Sequence, residues 1–215
     1  MFILYKEIIF IINFYIYMLC KLINIKNMKR NKFVASLVAL ATVPLFAFSQ
    51  IQKTFKRKDK GFKINAGEGR IHGHIQLKGV NVNVLDVKIS GSDTNGDLAI
   101  FEQTSLSQGK GTPLHVHTSQ DEIFYVIEGA YYFQVGEEKY NLTTGDSIFL
   151  PRQVPHAWTQ KSEKGKLIVV LQPAGKLENF FVTVAALDHE PTPKEMANIF
   201  AANDMQVIGP PLKID

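Results

Sequence analysis

The sequence predicts an all-β fold, an antiparallel sandwich or barrel carrying one short C-terminal helix, and three observations support that expectation. From Ile71 onward, short runs rich in Val, Ile, Phe and Tyr recur along the chain. Clusters of Gly, Asn, Asp and Ser separate them roughly every 8–12 residues, the spacing of short strands joined by tight turns. One helical start signal stands near the end, at Thr192-Pro193-Lys194-Glu195.

The expected strands are 71–77, 80–89, 98–107, 122–127, 130–135, 139–142, 146–150, 157–160, 166–171 and 180–186. In the second of these, Val80, Val82 and Val84 share one face, whereas Leu85, Val87 and Ile89 take the other. Such a flip of phase predicts a bulge or bend. Residues 90–97, rich in Ser, Gly, Asp and Asn, read as a turn. Thr192 and Glu195 have the form of a capping box with Pro193 at the first helical position. Met196, Ile199 and Phe200 then mark one face of a short helix that either seals a barrel end or gates it.

The chain is expected to divide into an N-terminal extension (1–27), a signal peptide (28–49), a basic tether (50–67), one domain (68–187), and a C-terminal helix and tail (188–215). Lys29, Arg30 and Lys32 precede the apolar run 33–48, and small residues at Ala47 and Ser49 suit cleavage before Gln50, leaving 166 residues. A membrane anchor retained without cleavage is the alternative. Residues 1–27, crowded with Ile, Phe, Tyr, Asn and Lys, read either as translated upstream DNA with Met28 the true start or as a transmembrane helix. The nearly apolar run 8–19 is short for a span of about 20 residues. Cys20, the single cysteine, lies in this leader, so the exported domain is expected to have neither thiol chemistry nor a disulfide.

The net charge of +4 is unevenly distributed. Residues 1–49 hold six basic residues against Glu7, and the remainder holds 18 basic against 19 acidic. Basicity that leaves with a signal peptide cannot hold a phosphate backbone, so no nucleic-acid partner is expected, nor stable membrane insertion after cleavage.

Candidate chemistry is confined to two windows. The first runs from Gly109 through His115, His117 and Glu122 to Gly129. On a strand His115 and His117 point the same way, and a tight turn over 118–121 can return Glu122 beside them on the next strand. Two neutral imidazoles and a carboxylate suit a divalent first-row metal and leave positions open. The second window runs from Gly145 through Pro151 to His156, Trp158 and Gln160, with His156 expected as a fourth ligand from the opposite wall. Phe124 and Val126 share the parity of Glu122, and Trp158 and Gln160 that of His156, so all four are expected to face the cavity as packing or substrate contacts. Gln160 is a candidate hydrogen-bond partner for a ligand. His72 and His74 read as a polar strand pair, and His189 as a surface histidine.

Together the two windows closely resemble the two motifs of the cupin family. The first matches throughout: Gly109, His115-x-His117, Glu122 and Gly129 at the family spacing. The second matches at Gly145, Pro151 and His156, but Gln153 replaces the usual Gly and Gln160 the usual Asn. Val207 to Leu212 looks like the tail of quercetinase-like single-domain cupins. The resemblance implies a double-stranded β-helix, a jelly-roll-like barrel of two sheets, with His115, His117, Glu122 and His156 holding one divalent ion: iron, manganese, nickel, cobalt or zinc. It further implies a homodimer and a small-molecule substrate. The first expectation for function is an exported dioxygenase acting on an enol or flavonol, with Glu122 doubling as catalytic proton acceptor. A non-oxidative isomerase or lyase acting on a sugar or keto acid, and a binding module without turnover, are the alternatives.

Overall fold

Alternating burial along the strands sorts the chain into two facing sheets. The computed structural model describes residues 57–79 and 81–214; the expected extension 1–27, signal peptide 28–49, first part of the tether (50–56) and Val80 lie outside the described residues. The strands are β1 (His74–Gln76), β2 (Val84–Ile89), β3 (Ala99–Ser105), β4 (Pro113–His117), β5 (Asp121–Glu128), β6 (Ala130–Val135), β7 (Glu138–Thr143), β8 (Ser147–Leu150), β9 (His156–Gln160), β10 (Gly165–Gln172) and β11 (Met205–Pro211). Helices α1 (Leu177–Ala185) and α2 (Pro193–Ala202) lie between β10 and β11. One sheet has the order β1-β2-β3-β10-β5-β8, the other β11-β4-β9-β6-β7, and every pairing is antiparallel.

In β3 the residues Ala99, Phe101, Gln103 and Ser105 are buried and the intervening ones half-buried; β10 repeats the pattern with Leu167, Val169 and Leu171. The inner faces meet around Leu85, Phe101, Phe124, Tyr131, Phe133 and Leu150, all buried. At about 1.5–3 kcal/mol per large side chain, this burial is the main force closing the barrel. Tyr131 places its hydroxyl inside by donating to Ser105 Oγ at 2.8 Å, and burial pushes its pKa up to about 12. The β5–β6 turn depends on Gly129 (φ +91°), where a Cβ would press against Lys164 O at 2.5 Å and Gly165 Cα at 3.0 Å.

Nine of the ten expected strands form, β4 and β11 join them, and 180–186 is helical. Phe, Val and Thr favour strands, but Leu177, Phe180, Phe181 and Val184 fall at i, i+3, i+4 and i+7, and all four are buried. Phe181 packs edge-on against Phe101 at 5.2 Å and Phe180 against Phe200 at 4.7 Å, so tertiary contact on that stripe decides the helix. No capping signal announced it, since Lys176 provides no side-chain cap. The helix expected after Thr192 forms as α2, with the full capping box and Met196 and Phe200 buried.

Two further differences concern strands. The tail pairs as β11 on the edge beside β4, where Pro210 and Pro211 are tolerated because an edge strand can spare ladder donors. The second expected strand, 80–89, begins at Val84; before it Val82 is 40% exposed while Asn81 and Asn83 are buried, Asn83 Oδ1 accepting from Leu106 N. The irregularity expected in this strand falls between Val87 and Ile89.

If the Phe101–Phe181 contact ties α1 to the barrel, Phe101→Ala should cost about 3–5 kcal/mol. A drop in the urea midpoint at unchanged slope would show it; a change under about 1 kcal/mol would contradict this account of the core.

Candidate metal centre

His115 and His117 alternate with Leu114 and Val116 along β4, so both rings enter the barrel. His115 is the register partner of His156 on β9. Glu122 comes from β5, which belongs to the facing sheet. This corrects the expectation that Glu122 lies beside the first two histidines and His156 opposite: the three imidazoles share one wall and the carboxylate alone crosses from the other. The turn between β4 and β5 passes from sheet to sheet instead of forming a hairpin.

The ligand atoms of the four residues all lie within 4.8 Å of one another. Glu122 Oε2 stands 3.4 Å from His156 Nε2 and 3.8 Å from His117 Nε2. The His115 ring centroid is 4.5 Å from that of His156 and 5.3 Å from that of His117. All four residues are buried.

Backbone chemistry assigns the protons. His115 Nδ1 is 2.8 Å from Pro113 O, and His156 Nδ1 is 3.0 Å from Val154 O. A carbonyl only accepts, so each Nδ1 carries the hydrogen and each Nε2 presents a lone pair inward. His117 Nδ1 lies 3.2 Å from Gln120 Oε1. His156 Nε2 is buried without a hydrogen-bond partner, although a carboxylate oxygen is near. Lone pairs facing a carboxylate in a dry pocket repel unless a cation or proton stands between them, and the set of three imidazoles and one carboxylate fits a divalent ion. Burial, then the neighbouring His156 and His117, hold the His115 pKa well below the usual imidazole value; burial also lowers that of His117, against the opposing pull of Glu122.

The cluster opens on a cavity of about 70 Å3. Phe124 and Trp158 line it, and so do Phe180, Phe181, Phe200 and Met205; reading 180–186 as a strand hid Phe180 and Phe181. Phe200 of α2 stacks edge-on against His115 at 5.2 Å, so α2 covers the ligands rather than only the barrel end. Val126 and Gln160 are not among the lining residues. Val126 is core, and Gln160 is consumed by the backbone: its Oε1 accepts from Ser107 N at 2.8 Å and its Nε2 donates to the carbonyls of Ser105, Ser162 and Glu163. His72 and His74 lie apart from the cluster, each against a carboxylate, Glu178 and Asp86. His189 is exposed beside Asp188 and Glu195.

The turn of the second window is anchored to the first. Gln153, at φ +64°, keeps the left-handed conformation that a glycine would favour, and its N–H donates to His117 O at 2.8 Å. Arg152 grips Asp121, the residue before Glu122, through Nε at 3.1 Å, Nη2 at 2.6 Å and its backbone N–H at 2.8 Å. These bonds hold the Asp121 carboxyl below its usual range.

Residues 103–171 match the family model described as Cupin domain (Cupin_2). With its two antiparallel sheets and its inward-facing His/Glu cluster around that matched domain, the chain has the cupin jelly-roll fold and resembles the quercetinase-like cupins. Among curated relatives, quercetin 2,3-dioxygenase of Bacillus subtilis is 32% identical over 112 residues, covering 51% of this chain and 32% of that protein. An uncharacterized protein of Methanocaldococcus jannaschii is 38% identical over 48 residues, covering 22% of this chain and 38% of its own. The chain thus spans about a third of the length of the curated relatives it matches. The solved structure of an RmlC-like cupin from Shewanella frigidimarina covers 55% of this chain and 96% of its own, with 21% identity and a TM-score of 0.43.

Two outcomes are expected. Gln153→Gly should raise stability by about 0.5–1 kcal/mol, the relieved left-handed strain exceeding the added freedom of the unfolded chain; a lower melting temperature would refute it. In the metal-free protein, the lowered values of His115 and His117 make the unfolded chain the stronger proton binder below the ordinary imidazole pKa. Their stability contribution is full above about pH 6.5 and lost as pH falls through the folded values, so the urea midpoint should drop between about pH 7.5 and pH 5. A midpoint flat over that interval would contradict the assignment.

Proposed function

We propose that this chain is an exported, metal-dependent dioxygenase of the quercetinase-like type, acting on a small enol or flavonol-type substrate as a homodimer. The observation that carries the reading is the ligand cluster within 4.8 Å, set in a cavity walled by Phe124, Trp158, Phe180, Phe181 and Phe200. The 32% identity with quercetin 2,3-dioxygenase over 112 residues supports it. His115, His117, His156 and Glu122 would hold one divalent ion of iron, manganese, nickel or cobalt, with zinc favouring non-oxidative chemistry. When bound, such an ion supplies Lewis acidity and, where redox-active, a path for electrons to dioxygen.

The chain's own residues account for the remainder. The aromatic walls receive a flat ring system and exclude water, which strengthens every polar interaction inside. Glu122, the carboxylate of the cluster, takes the proton from a substrate hydroxyl, giving an enolate that the same pocket retains. The three imidazoles, bare at Nε2, leave Glu122 as the proton acceptor among the four with a negative charge to neutralise.

The native protein, isolated without chelator, is expected to begin at Gln50, elute as a dimer and carry one equivalent of a redox-active metal that His117→Ala loses. Trp158 is the sole tryptophan of the chain and lines the cavity, so its fluorescence should respond to metal and to flavonol in the wild type and only weakly in the variant. Oxygen uptake with a flavonol or enediol completes the test. Stoichiometric zinc without oxygen uptake would replace this reading with an isomerase or lyase, and absence of metal even after reconstitution would replace it with a binding role.

A further inference from the structure

Gln120 is a polar side chain only 1% exposed, standing between His117 and Glu122. Its amide has one orientation compatible with its surroundings. Ala174 O, a carbonyl, accepts a hydrogen bond at 2.8 Å and so must face the amide nitrogen, Nε2. That leaves Oε1 facing His117 Nδ1 at 3.2 Å, and an amide oxygen only accepts. The hydrogen of the neutral ring therefore sits on Nδ1, and Nε2 turns a lone pair to the cluster.

His115 and His156 take the same tautomer from backbone carbonyls, Pro113 O and Val154 O, which no substitution removes. His117 alone depends on a side chain. It also has a competing acceptor, because Glu122 Oε2 lies 3.8 Å from its Nε2 and would attract the ring hydrogen if nothing held it at Nδ1. Gly175 completes the arrangement: a Cβ there would collide with the Gln120 amide, and at φ +53° the position is one that glycine favours.

We propose that Gln120 is the positioning residue for His117, locking it in the Nδ1–H tautomer so that Nε2 is free to bind. The functional consequence rests on the metal-centre reading above, but the tautomer is a property of the metal-free protein and is tested there. Removing such an outer partner of a ligating histidine typically weakens metal binding about 10–100-fold.

The measurement is nitrogen-15 correlation spectroscopy of the histidine rings in the metal-free protein at about pH 8, where imidazoles are neutral. His117 is expected as Nδ1–H in the wild type, as Nε2–H in Gln120→Met, and again as Nδ1–H in Gln120→Glu, whose carboxylate accepts from the same nitrogen. Metal titration should show Gln120→Met about 10–100-fold weaker than wild type and Gln120→Glu much closer to it. An Nε2–H tautomer in the wild type overturns the proposal, as does an Nδ1–H tautomer retained in Gln120→Met. If Gln120→Met does not fold, loss of Nδ1–H in Gln120→Glu overturns it equally. A wild type with the expected tautomer that binds no metal upholds the role of Gln120 and sinks instead the dioxygenase reading.

Discussion

Three imidazole lone pairs and a carboxylate converge where water is largely excluded, and this constraint organises much of the molecule around it. Burying such groups costs several kcal/mol unless every outer hydrogen-bonding face is satisfied and a positive charge lies among the inner ones. The outer faces are satisfied one by one: His115 by Pro113 O, His156 by Val154 O and His117 by Gln120. Within the cluster, His156 Nε2 is buried without a hydrogen-bond partner. A buried cluster of three imidazoles and one carboxylate is a donor set that could hold a divalent ion.

The β-barrel meets this demand by its topology. Register on one sheet places His115 opposite His156, while Glu122 arrives from the other sheet, so the site exists only when the two sheets face each other. The same closure buries Phe101, Phe124 and Phe133, and hydrophobic collapse and ligand convergence are therefore one event. The second-window turn reinforces it from outside, because Gln153 holds the His117 carbonyl and Arg152 holds Asp121. A turn distant in sequence from the first window thus controls both walls of the site.

The helices convert a barrel end into a cavity. Phe180 and Phe181 of α1 and Phe200 of α2 bring aromatic faces over the ligands, with Phe200 against His115 itself. Gln160 illustrates the opposite outcome. Its parity with His156 aimed it inward, yet four carbonyl and amide partners in the adjoining loops hold it as part of the frame.

Local pattern was enough to determine the strand-rich architecture, the capping box of α2 and the identity of all four ligand-cluster residues, because these depend on side-chain alternation, on capping hydrogen bonds within three residues and on spacing within single strands. The aromatic stripe of α1 was also present in the sequence as Leu177, Phe180, Phe181 and Val184, but residue types that favour strands concealed its period. Only the tertiary structure decided which sheet supplies Glu122, where the edge strand β11 pairs, which way Asn83 and Val82 turn, and that Gln120 reaches both His117 and Ala174. Each of these is set by contacts between residues distant in the chain, whose geometry comes from closure of the barrel, and no short window of sequence contains both partners.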